Sequence, residues 1–315
     1  MDRRDFLLAA AAAPLALRAQ VARARRPPLA LVTCDTQARI AVVDPFSGLL
    51  VKSIPVPVAP NSVELVGGDR AVVCHTNVGA VTILDGSSLT VRHVLHDFAE
   101  PRYTAAHPDG RHAFVTDSGT TEVGTIDLAG GRAVGRVKLG EWPRHVTLDS
   151  NGRTLWVGLG NDSEHLAIVD VSDVTHPRLV RKVKPPFLAH DVGFLPGDRR
   201  LWVTSGDSGA MALYDRAGEV RLRLPADKAP QHVTFGNGRA YVTSGYSGTF
   251  AVHSLANGQP IRTTRVPLGS FNVQAGFGLV LTPSLDRGTL CVLDQHGSLL
   301  HEIAVAPSCH DACFI

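Results

Sequence analysis

Short apolar runs, three or four residues long and separated by turn-forming Gly, Pro, Asn and Asp, recur along this chain. Between Leu188 and Asp215 the pattern predicts three strands, His190–Leu195, Leu201–Ser205 and Ala210–Asp215. Pro196-Gly197-Asp198 and Gly206-Asp207-Ser208-Gly209 fall between them, and these residue types supply the φ values and local hydrogen bonds of tight turns. Residues 220–224, VRLRL, alternate apolar and charged, as a half-exposed fourth strand would. The unit is a small four-stranded antiparallel sheet.

The second strand of this unit sets the period. It recurs as LVT at 31–33, VVC at 72–74, FVT at 114–116, WVG at 156–158, WVT at 202–204, YVT at 241–243 and VLT at 280–282. The last residues of successive copies are 41, 42, 42, 46, 39 and 39 apart. A third strand ends at Asp44, Asp85, Asp127, Asp170, Asp215 and Asp294, with Ser254 as the exception. Six copies have a first strand upstream of the second; the copy at 29–56 has none. Its counterpart is Cys309–Ile315, which matches the start of the unit at His190. Repeats of this length predict an all-β fold, a seven-bladed β-propeller of four-stranded blades. The C-terminal strand pairs in the first blade and closes the ring, which removes exposed sheet edges. Residues 25–315 then form a single domain. Trp156, Trp202 and Tyr241 fall on second strands, where both faces are covered, and are expected to pack blade against blade.

YVTSG at 241–245, WVTSGDSG at 202–209 and FVTDSG at 114–119 resemble the YVTN family of seven-bladed β-propellers. Pro143-Arg144-His145-Val146 and the Asp-Gly-Arg turn at 109–111 share that resemblance, which extends over everything from residue 29 onward. It implies the fold. It does not imply one activity, because the signature residues are structural.

The N-terminus differs from the rest. Arg3-Arg4, then Phe6-Leu7 and an Ala-rich run, resemble a twin-arginine export signal, although Asp2 and Leu8 depart from the usual pattern. Residues 1–24 are expected to be removed, with Ala22-Arg23-Ala24 or Ala19 offering the small residues of a cleavage site, and the mature protein to be periplasmic or extracellular. Beyond this segment no stretch is apolar enough for a transmembrane span. A net charge of +2 argues against a nucleic-acid partner.

Candidate chemistry sits where loops enter first strands and leave second strands, since these lie on one face. The entrances carry Arg102, Arg144-His145, His190-Asp191, His232, Asn272 and His310-Asp311; the exits include His75 and Asp207. A small-molecule or protein ligand is expected at this His/Asp-rich face, bound without catalysis. His145, His190, His232 and His310 could ligate a transition metal, since neutral imidazoles suit copper, zinc or iron. Ordinary imidazoles would release it near pH 6. A ring of histidines on seven blades is also similar to the copper-cluster domain of nitrous oxide reductase, but several positions here are Arg, Asn or Phe. The alternative is a metal-dependent enzyme or a hydrolase similar to propeller lactonases, with Asp191, Asp207 or Asp311 as general base. No GxSxG nucleophile motif occurs. Of five cysteines, Cys34 leaves the second strand of the first blade and Cys309 enters its first strand. In an exported protein this pair is a disulfide candidate.

Overall fold

The computed structural model describes residues 27–315 except 196, 198, 199 and 216. The export segment 1–24 and most of the Pro196-Gly197-Asp198 turn therefore lie outside the described residues. Within them the chain forms twenty-eight strands in seven four-stranded antiparallel sheets. No helix among the described residues is long and apolar enough to cross a membrane. Six blades run from inner to outer strand in chain order, as in Pro143–Leu148, Thr154–Leu159, Leu166–Asp170 and Arg178–Val183. The first blade is assembled from both ends of the domain. Its inner strand is Ala312–Phe314, paired to Ala30–Cys34 with Ala30 opposite Phe314 and Val32 opposite Ala312. Backbone bonds between Leu29 and Ile315, 2.9 and 2.8 Å, extend the pairing by one residue.

Burial follows position in the blade. The second and third strands are buried on both faces, whereas outer strands such as Val220–Pro225 are exposed except for one inward residue, Leu224. Every third-to-outer strand pair carries one register irregularity, which increases the local twist that the blades need to pack radially. The core is divided into clusters between neighbouring blades. Trp156 packs with Tyr214 between the fourth and fifth blades, Trp202 between the fifth and sixth, and Tyr241 between the sixth and seventh. The aromatic second-strand residues are packing residues, as the sequence implied. Each such burial contributes about 2–3 kcal/mol.

A hydroxyl clasp ties the blades together at the threonine that ends the repeated apolar motif. Thr33 Oγ1 donates to the Asn61 carbonyl at 2.9 Å, Thr116 Oγ1 to that of Arg144 at 2.7 Å, and Thr204 Oγ1 to that of Gln231 at 2.5 Å. Thr243 Oγ1 makes the same bond to Phe271. Each hydroxyl reaches the inner strand of the next blade, so the Thr of the signature has a structural role.

Cys34 and Cys309 are brought side by side, as expected, but they are free thiols, and so are the other three cysteines. The expected disulfide is not formed: the Cys34 thiol donates to the Val32 carbonyl at 3.8 Å, and the neighbouring Cys309 holds it below its ordinary range. Closure rests instead on the backbone ladder and on burial of Phe314, which is 3 % exposed.

Candidate metal centre

The inner strands do not enter the ring straight. Pro143 pairs with Leu159 and Val146 with Val157, so Arg144 and His145 together oppose the single residue Gly158. Arg102 and Tyr103 oppose Thr116 in the same way. Backbone bonds give His190-Asp191 against Thr204, Gln231-His232 against Thr243, and His310-Asp311 against Thr33 the same two-to-one arrangement. A bulge of this kind turns its two side chains out of the regular alternation. Repeated around the ring, it aims a band of polar side chains at the mouth of the central channel.

Three of these side chains converge. His145, His190 and His232, from the fourth, fifth and sixth blades, are all buried, and one ligand atom from each lies within 4.8 Å of the others. Their ring centroids are 4.5 Å (His145–His190), 4.7 Å (His145–His232) and 5.5 Å (His190–His232) apart. Tyr103 covers the group, 4.4 Å from the His145 ring and 5.7 Å from that of His232.

The partners of these imidazoles suit ligation. His190 Nδ1 lies 3.0 Å from the Asn161 carbonyl, which can only accept, so Nδ1 carries the proton and Nε2 keeps its lone pair. His232 Nδ1 lies 3.5 Å from the Asp191 carboxylate. Carbonyl and carboxylate partners of this kind orient metal-binding histidines. His145 is 1 % exposed, and neither of its ring nitrogens has a hydrogen-bond partner. A buried imidazole with no partner loses hydration without compensation, a cost that a bound ion would remove. Burial, followed by the other two imidazoles and Arg144, pushes the pKa of His145 well below its usual value. His190 is lowered likewise, first by burial and then by His232 and Arg144. Both are therefore neutral and available near neutral pH. Tetrahedral zinc holds its nitrogens about 3.3 Å apart, and the three ligand atoms here all lie within 4.8 Å of one another.

The other expected residues are placed differently. His310 is not part of the triad: it comes from the first blade, across the ring, and its Nδ1 is 3.5 Å from Asn61 Nδ2. His75 is not at the mouth either. It is turned into its own blade, with Nε2 2.9 Å from Thr82 Oγ1 and Nδ1 3.2 Å from the Val58 carbonyl. Asn272 is structural, its Nδ2 donating to the His310 carbonyl at 2.7 Å. Asp191 and Asp311 brace neighbouring blades by accepting from the Val233 and Val63 amides at 3.0 and 2.9 Å. Asp207 stands in a separate cleft of about 480 Å³ beside His190, with Asn161, Asp162, Lys228 and Tyr246. The three carboxylates considered as general bases are thus not gathered at one point. Arg102 and Arg144 do reach the mouth, where both lie over the Trp142 ring, at 4.8 and 5.8 Å.

Two features had no clear sequence signal. Trp142 precedes the motif Pro143-Arg144-His145 and could have been noticed as its neighbour. Glu64 lies inside the channel, in a cavity of about 330 Å³ lined by inner strands. Burial and then the charge of Asp311 push its carboxyl up to about 8. Asp311 itself is raised by burial to about 6. A second cluster, His107, Asp109 and His112, belongs to one hairpin, and both Asp109 oxygens are already used within it.

The fold and its mouth define a seven-bladed β-propeller with a buried three-histidine cluster. No family model matches the chain, and no curated protein matches it. Among solved structures, a protein of unknown function from Desulfotomaculum acetoxidans is similar, with TM-score 0.79 and 9 % identity over 91 % of this chain and 98 % of that one. Kuenenia stuttgartiensis hydrazine synthase is similar at TM-score 0.66 and 14 % identity, covering 80 % of this chain and 88 % of that one. The dihydro-heme d1 dehydrogenase NirN, in complex with DHE, gives TM-score 0.65 and 16 % identity over 89 % of this chain and 64 % of its own. At these identities the similarity establishes the fold alone.

Proposed function

We propose that this chain is an exported, YVTN-like propeller that works by binding, and that His145, His190 and His232 hold a transition-metal ion at its channel mouth. The observation carrying this is the pair of unpartnered nitrogens of buried His145 at the centre of three imidazoles. Three nitrogen ligands leave one position of a tetrahedral ion open, so the bound metal would present a site for a further ligand. Calorimetry with copper, zinc and cobalt on chelator-treated protein tests this. Wild type should take up one ion, and His145→Ala should lose at least about 100-fold in affinity, whereas His253→Ala, away from the mouth, should lose none. No uptake by wild type near neutral pH would refute the reading.

A second reading, a metal-dependent hydrolase, is favoured by one observation: the cleft holding Asp207 and Lys228 adjoins His190 and could seat a substrate beside the ion. Lactone hydrolysis by metal-loaded protein, abolished by His190→Ala, would select it. Export is supported by Arg3-Arg4 and the apolar run that follows. Replacing the pair with Lys-Lys should hold the precursor in the cytoplasm, and unchanged export would show that a different route is used.

A further inference from the structure

Beside the histidines, the mouth narrows to a slot of about 30 Å³ lined by Asn61, Thr76, Arg102, Tyr103, Arg144 and His310. Two guanidinium groups face this slot, and they are served by a single carboxylate. Arg102 has it: its Nη2 is 3.1 Å from Glu100, and its Nε donates to Ser118 Oγ at 3.0 Å. Arg144 forms no ion pair among the described residues, and its buried Nε has no hydrogen-bond partner. Its guanidinium is held instead over aromatic faces, 5.8 Å from the Trp142 ring and 5.9 Å from that of Tyr103.

Cation–π contacts fix the position of a guanidinium but offer nothing in its own plane, where its N–H groups point. Arg144 is only half-buried, but its Nε is shut off from water with no acceptor in the guanidinium plane, and that N–H bears an uncompensated desolvation cost. The bulge at Arg144-His145 imposes that position, so the chain holds the cost in place. The group that would compensate it is a planar anion, because two parallel N–H donors match the two oxygens of a carboxylate. Size narrows the choice further. A space of about 30 Å³ takes a small head group and not a bulky one.

We propose that Arg144, with Arg102 beside it, binds the carboxylate of a small ligand in this slot. None of the three metal-binding histidines lines the slot, so the inference stands or falls separately from the metal reading. The side chains that bracket the anion are Asn61 on one blade and Tyr103 on the next, both of which carry donors; the Thr76 hydroxyl already donates to the Pro101 carbonyl at 2.7 Å.

The test uses metal-free protein in a chloride-free buffer, titrated with formate, acetate and inorganic phosphate while unfolding and heat are recorded. Formate and acetate should bind saturably and raise the melting temperature of wild type; phosphate should do so at least tenfold more weakly. Arg144→Met keeps the apolar stem and removes the charge. It should bind formate at least tenfold more weakly, yet be no less stable than wild type without added anion, because a buried N–H without a partner has gone. Arg102→Gln, a second variant should the first fold poorly, should weaken formate binding by a smaller factor. Equal formate affinity in wild type and Arg144→Met, absence of saturable carboxylate binding, or phosphate binding more tightly than formate would each overturn the proposal. So would an Arg144→Met protein that is less stable while its formate affinity is unchanged.

Discussion

His145 differs from an ordinary histidine in a way that changes how the proposed metal site should respond to pH. In water an imidazole is half-protonated near pH 6.5, and three such ligands would surrender an ion steeply as acid is added. Burial and neighbouring positive charge lower both His145 and His190 well below that value. A lowered pKa means the neutral, ligating form persists to lower pH, so protons compete less for these two nitrogens. Release near pH 6, expected from unperturbed side chains, should therefore not be driven by them. Between pH 7 and 5 metal uptake should displace no more than about one proton per ion, rather than approaching three. Calorimetry in buffers of different ionisation enthalpy reads this number directly, and a value near three at pH 5 would show that the cluster is more hydrated than its burial implies.

At the scale of the strand, the bulge and the threonine clasp act together. Thr33 shows the arrangement most fully: its hydroxyl donates to Asn61 of the second blade and accepts from the Asp311 amide of the closing strand. Thr33→Val keeps the shape but leaves a carbonyl and an amide unpaired, which should cost about 1–3 kcal/mol in urea unfolding. Metal affinity should not change, because the Thr33 bulge carries His310 rather than a member of the triad. The repeat of the threonine was visible in the sequence, as were seven copies, the closing strand and the packing role of Trp156 and Trp202. The bulges were not, since one extra residue in a short strand leaves no periodicity to detect. For the same reason the sequence could place His145 and His310 at equivalent positions in their blades without showing that only adjacent blades bring imidazoles into contact. His75 was misplaced for a simpler reason: at a strand end, one residue of difference in register decides whether a side chain faces the channel or its own blade.

At the scale of the ring, chain order and spatial order are out of step by one strand, and this allows the polypeptide to be re-cut. Leu29 and Ile315 are already antiparallel neighbours, exchanging backbone bonds of 2.9 and 2.8 Å. A two-residue Asn-Gly link would join them as a hairpin, because that pair favours the turn whose twist matches flanking strands. New termini opened between Pro307 and Ser308 would fall in the loop ahead of the closing strand. In such a permutant every blade is continuous in sequence, and no blade waits for a strand made at the other end of synthesis. It should fold to the same ring, keep whatever affinity the proposed metal site has and refold faster, since the longest loop in the domain no longer has to close before the first blade is complete. A permutant that aggregates, or that refolds no faster than the natural order, would mean that joining the first blade is not the slow event.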